Sequence, residues 1–142
     1  MAGQLLLVST GLRRYVASHE DLIDLRLVAG HGALPPADRQ GRPYLGVPLG
    51  PLLDPADTAL AARHRALVVP LRRRLVALLA DYVEEPPDGA LHPLPALLRE
   101  RLRQPWAAGA FVTETDVFIY IDLRAVARSV LAAQASERTG HG

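Results

Sequence analysis

The chain repeats itself at a spacing of sixty residues, weakly in identity but consistently in pattern. Arg13-Arg14-Tyr15-Val16-Ala17 corresponds to Arg73-Arg74-Leu75-Val76-Ala77, Asp21-Leu22-Ile23-Asp24 to Asp81-Tyr82-Val83-Glu84, and Leu7-Val8 to Leu67-Val68. Each unit reads as an apolar strand, a tight basic turn, a second apolar strand, and an acidic residue followed by two apolar ones. A further echo at larger spacing sets Val47-Pro48-Leu49-Gly50-Pro51-Leu52-Leu53 against Ile121-Asp122-Leu123-Arg124-Ala125-Val126-Ala127, where a strand ends in Leu and enters a short helix. The second unit therefore holds an insertion. A duplicated hairpin implies two related β modules in one chain.

Alternation and turn chemistry place the elements. Leu5 to Ser9 and Arg14 to Ser18 are expected as a first hairpin, turned at Gly11, with a third strand over Leu25 to Ala29. Gly30 to Gly41 reads as a loop, and Tyr44 to Leu49 as a strand that Pro43 and Pro48 confine to an edge. Asp54 is placed to cap a short helix opened by Pro55. Ala66 to Leu71 and Leu75 to Ala80 form the second hairpin. Its return strand is apolar without alternation, so both faces are expected to be buried, whereas the mixed return strand of the first hairpin should lie closer to solvent. Glu85 to His92 reads as a Pro-rich loop, Leu94 to Arg103 as an amphipathic helix, Gly109 to Thr113 and Val117 to Asp122 as a third hairpin, and Leu123 to about Ala133 as a closing helix.

With 142 residues, 49% hydrophobic and 22% charged, the chain suits one folded domain or two small modules sharing a core. No apolar run approaches the roughly eighteen residues of a membrane span, and Met1-Ala2-Gly3-Gln4 lacks the basic start of a signal peptide, so a cytoplasmic soluble protein is expected. There is no Cys, which removes disulfides and thiolate chemistry. All 16 basic residues are Arg, and the net charge of +1 supplies no global field for nucleic acid or anionic lipid.

Nothing in the sequence has the form of an active site. His19, His31, His64, His92 and His141 are scattered and form no ligand pair at helical or strand spacing, so neither metal nor other cofactor is expected. Ser9, Ser18, Ser129 and Ser136 lack a nucleophile elbow, and the glycines form no phosphate-cradling loop. Arg72-Arg73-Arg74 reads first as a solvated hairpin tip, Arg99, Arg101 and Arg103 as the polar side of a helix, and Trp106 as a core plug or a partner anchor. A small arginine-rich nucleic-acid-binding β-barrel is the alternative reading, if those two arginine groups merge into one surface with exposed aromatics.

The ordered set of motifs resembles the CheW-like chemotaxis coupling domain, from about Gln4 to Leu131. Leu78-Leu79-Ala80-Asp81-Tyr82-Val83 fits that family's signature of apolar pair, apolar or small residue, Asp, any residue and Val; Pro93-Leu94-Pro95, Gly109 and Asp122-Leu123 follow in the family's order. The first half departs: Asp38-Arg39-Gln40-Gly41 stands where the family carries Asn-Leu-Arg-Gly, and Pro48-Leu49 where it closes a strand with Asp-Leu. The resemblance implies a mainly β fold of two small five-stranded β-barrels sharing a core, with a C-terminal helix. It divides residues 1–134 into a first barrel module at 4–53, a second at 64–122 and a closing helix at 123–133, with a disordered tail at 135–142. It implies a non-enzymatic scaffold without cofactor or nucleic-acid partner, coupling chemoreceptor cytoplasmic tips to the regulatory domain of a sensor histidine kinase. Partner docking is then expected at Arg39, Gly41 and Arg42, with Trp106 as a further candidate anchor.

Overall fold

A computed structural model of the chain describes residues 4–29, 34–58, 63–95, 97 and 106–140. In chain order the strands are β1 (Leu5–Ser9), β2 (Arg14–Ser18), β3 (Asp24–Ala29), β4 (Tyr44–Pro48), β5 (Arg63–Pro70), β6 (Leu75–Ala80), β7 (Tyr82–Glu84), β8 (Gly89–Pro93), β9 (Ala107–Thr113) and β10 (Val117–Ile121). Helix α1 (Leu49–Leu53) follows β4, and α2 (Leu123–Gly140) follows β10. Hydrogen bonding groups the strands into a six-stranded sheet, β7-β1-β2-β10-β9-β8, and a four-stranded sheet, β3-β5-β6-β4.

The repeat is visible in the register of these strands. Both hairpins close through a four-residue turn, with the Thr10 N–H donating to the Arg13 carbonyl at 2.8 Å and the Leu71 N–H to that of Arg74 at 2.9 Å. Ser9 pairs with Arg14 across the first turn and Pro70 with Leu75 across the second, so the hairpins correspond at sixty-one residues, one more than the sequence pattern suggests. The third strands correspond at sixty, as read, because Leu7 faces Glu84 while its equivalent Val68 faces Asp24. The fourth correspond at seventy-four: Ala17 lies beside Ile121 in a parallel pair, and its equivalent Leu78 beside Val47.

Each sheet thus takes strands from both sides of the 54–63 connection. The first hairpin pairs with β7 and β10 from the second half, and the second hairpin with β3 and β4 from the first. Burial follows the same symmetry. Leu6, Val8, Tyr15 and Ala17 from one hairpin meet Leu67, Val69, Val76 and Leu78 from the other in a single central core, which Leu49 of α1 and Leu123 of α2 complete at equivalent positions. The opposite faces hold smaller clusters, Leu7 and Val16 with Phe111 and Phe118 in one sheet, Val68 and Ala77 with Val28 in the other. β6 is buried on both faces, as its unbroken apolar run requires.

Several expectations change. β2 is not close to solvent: Tyr15 to Ser18 are buried, because β1 and β10 flank the strand and make it central despite its mixed composition. Part of the expected loop at Glu85 to His92 is β8, paired along Gly89 to Pro93 with β9. The two strands approach so closely that a Cβ on Gly109 would collide with the His92 carbonyl, and only glycine permits the contact. No helix starts at Asp54; its Oδ1 instead accepts the Ala56 N–H at 3.0 Å in a local turn. Helix α2 runs on to Gly140, where a tail was expected, since Ala132-Ala133-Gln134-Ala135 are helix formers and no Gly or Pro intervenes. The expected helix from Leu94 to Arg103 falls largely outside the described residues. No described helix is long and apolar enough to cross a membrane.

Candidate docking surfaces

The loop Asp38 to Arg42 is a tight turn built around one carboxylate. Asp38 Oδ1 accepts the N–H groups of Gln40 at 3.0 Å and Arg42 at 2.8 Å, while Oδ2 takes the Arg42 guanidinium at 2.9 Å. The Asp38 N–H donates to the Arg42 carbonyl, and Gly41 closes the turn at φ 80°, a conformation that other residues adopt only with strain. Burial pushes the Asp38 carboxyl up, but the hydrogen bonds from Arg42 and Gln40 outweigh it and hold the group below the ordinary carboxylate range. Arg42 is therefore engaged within the turn and half-buried; Arg39 projects exposed at its tip. The turn ties to the four-stranded sheet through the Ala37–Pro43 bridge and the Leu75 N–H donating to the Pro43 carbonyl at 2.9 Å.

Trp106 lies in the central core, 9% exposed, its ring edge-on to Tyr15 at 6.3 Å between centroids, which is the plug position and not a surface one. A fastening that the sequence does not reveal joins the first hairpin turn to Asp57. Asp57 is fully buried, takes the Thr10 hydroxyl and the Leu12 N–H on Oδ2, and leaves Oδ1 without a partner among the described residues. A Cβ on Gly50 would stand 2.9 Å from the Asp57 carboxyl carbon, so that glycine makes room for it. Beside it Arg13 Nε donates to Asp54 Oδ2 at 2.7 Å, and this bond, with the Ala56 N–H, holds the Asp54 carboxyl low. A buried hydroxyl–carboxylate contact between residues forty-seven apart leaves no local pattern in a sequence.

A groove of about 210 Å³ is lined by Leu27, Arg65, Asp81 and Tyr82, with Tyr82 66% exposed. Tyr82 is the one exposed aromatic residue of the seven. Arg72 and Arg73 are exposed at their hairpin tip and Arg74 reaches the Gln134 side chain at 3.4 Å; Arg99, Arg101 and Arg103 lie outside the described residues. Among the described residues no three His, Asp or Glu side chains are grouped to hold a metal ion. The Ser18 hydroxyl accepts the Glu20 N–H and that of Ser129 donates to the Val126 carbonyl, both local structural bonds.

This architecture has a solved counterpart. The scaffolding protein TtCheW from Thermoanaerobacter tengcongensis superposes with a TM-score of 0.60 over 86% of this chain and 90% of its own, at 16% identity. The chain has a CheW-like fold. The CheW-like architecture accounts for the mainly β chain, the two sheets and the closing helix, and the low identity marks this chain as divergent within that fold. No protein-family model and no curated protein sequence matches the chain.

Proposed function

We propose that the chain is a non-enzymatic, cytoplasmic adaptor of chemotaxis-type bacterial signalling, coupling receptor cytoplasmic tips to the regulatory domain of a sensor histidine kinase. The observation that carries this reading is the CheW-like fold over most of the chain, shared with a protein that is itself a scaffold. Its mechanism is positional: two sheets locked through one core form a rigid body, and a partner bound on each side is held at a fixed distance from the other. Affinities of isolated contacts of this kind are modest, and array avidity raises them.

Within that reading, the turn Asp38 to Arg42 is the docking element, with Gly41 and the Asp38–Arg42 pair fixing the shape and Arg39 presenting its planar fork to a partner carboxylate or carbonyl. The test uses the purified chain as bait against lysate of its native host, with retained proteins identified by mass spectrometry. Recovery of a sensor kinase is expected; its consistent absence under conditions that retain other partners overturns the reading. Arg39→Ala should reduce kinase recovery several-fold while leaving the melting curve in place, and equal recovery moves the docking element elsewhere.

A further inference from the structure

The face of β9 and β10 that carries Ile121 and Ala107 into the central core runs on toward the 114–116 turn, and there, among the described residues, it is left exposed. Phe111, Phe118 and Leu91 lie on the other side of these strands, in the smaller cluster away from the central core. Opposite them, Val112 pairs directly with Val117 and Ala110 with Ile119, while Ala90 faces Val112 from β8. Val117 is 69% exposed, Ile119 42% and Val112 37%. Large β-branched side chains side by side across strands make a contiguous apolar patch, and such patches on soluble proteins mark interaction sites.

The charge around this face is one-sided. Asp88, Glu114 and Asp116 are exposed at its end, where Asp88 and Glu114 line one open depression of about 310 Å³ with Pro87, Thr113 and Thr115. None of these three carboxylates pairs with a cation among the described residues. β8, β9, β10 and the 114–116 turn contain no Arg, although the chain has 16. A partner that covers the valines and isoleucine must therefore bring apolar side chains at the centre and positive charge at the rim; an acidic rim on the partner would meet like charge and be rejected.

We propose that the exposed face of β8–β10 docks a basic amphipathic helix of a partner protein, its Leu-type stripe on Val112, Val117 and Ile119 and its Arg or Lys flank on Asp88, Glu114 and Asp116. This goes beyond the adaptor reading and stands or falls without it, since it concerns the chemistry of a helix and not the identity of the coupled proteins.

The test is fluorescence anisotropy with the full chain and a labelled synthetic peptide of about 18 residues, carrying Leu at helical spacing on one face and Arg on its flanks. Binding is expected to weaken at least about tenfold for the same peptide with Glu in place of Arg, and about as much for the Val117→Ser, Ile119→Ser double variant with an unchanged melting curve. Glu114→Gln with Asp116→Asn should weaken it less and flatten its dependence on salt. Equal binding of the Arg and Glu peptides, or of wild type and the serine variant, overturns the proposal. So does concentration-dependent self-association abolished by the serine variant, which would make the occupant a second copy. Peptide binding that appears only after Arg99, Arg101 and Arg103 are changed to Ala would assign the face to the chain's own segment and equally overturn it.

Discussion

At the scale of single residues, the central core, Asp57 and the turn arginines make distinct demands. Leu78 is fully buried between the two sheets. Leu78→Asp removes that packing and buries a carboxylate without partners, a loss of roughly 3–5 kcal/mol, enough to unfold a marginal domain; soluble, normally melting protein would contradict it. Asp57→Ala should cost about 1–3 kcal/mol in chemical denaturation, because the Thr10 hydroxyl and Leu12 N–H lose their acceptor. Arg39→Ala and Arg42→Ala should separate: the first leaves melting within about 0.5 kcal/mol of wild type, as exposed side chains do, while the second lowers the melting temperature by unpinning Asp38. The sequence alone treats the two arginines as equivalent loop charges, since what distinguishes them is which one Gly41 turns back toward Asp38.

At the scale of elements, the turns and their acids set the pH response. Asp38 and Asp54 both have carboxyls held below the ordinary range in the fold, so their stabilising contribution is fully present above that range and is lost as pH falls through their lowered values. Acid unfolding should therefore steepen below about pH 4, and Asp38→Asn should blunt that part of the titration when melting is followed against pH. Element boundaries were legible where an apolar run is bracketed by turn residues: β1, β2 and β6 begin and end where the pattern places them. β8 was not legible, because its residues are mostly exposed and follow Pro86-Pro87-Asp88, so neither burial period nor composition marks a strand. The one-residue difference in hairpin spacing has a plain cause. Identity aligns the Arg pairs, whereas strand register counts from the turn.

At the scale of the whole molecule, the exchange of strands between halves predicts one cooperative unfolding transition, since neither sheet can persist once one half is lost. Residues 1–57 expressed alone should lack β-sheet circular dichroism, and mixing them with residues 58–142 should restore it; an independently folded first fragment would refute the interlocked reading. The duplication and its fourth-strand echo were readable from sequence, and so was the CheW-like architecture through Leu78 to Val83 and Asp122-Leu123. Which half each strand would pair with was not, because pairing across sixty residues is decided by edges and core faces that only meet in three dimensions. The two proposed docking surfaces divide the same way: the Arg39 turn was marked by its glycine, while the β8–β10 face depends on how far along these strands the central core reaches.

A single repeat, standing alone, would offer β1 and β2 edges with nothing beside them and could complete its sheets only by borrowing strands from another molecule. Joining two repeats in one chain converts that borrowing from a bimolecular event into an intramolecular one, at an effective concentration on the order of millimolar for a short connection. Assembly of the body no longer depends on how much protein the cell makes. The two halves are also free to drift apart in sequence, as Pro48 against Asp122 records, because each always meets the same counterpart.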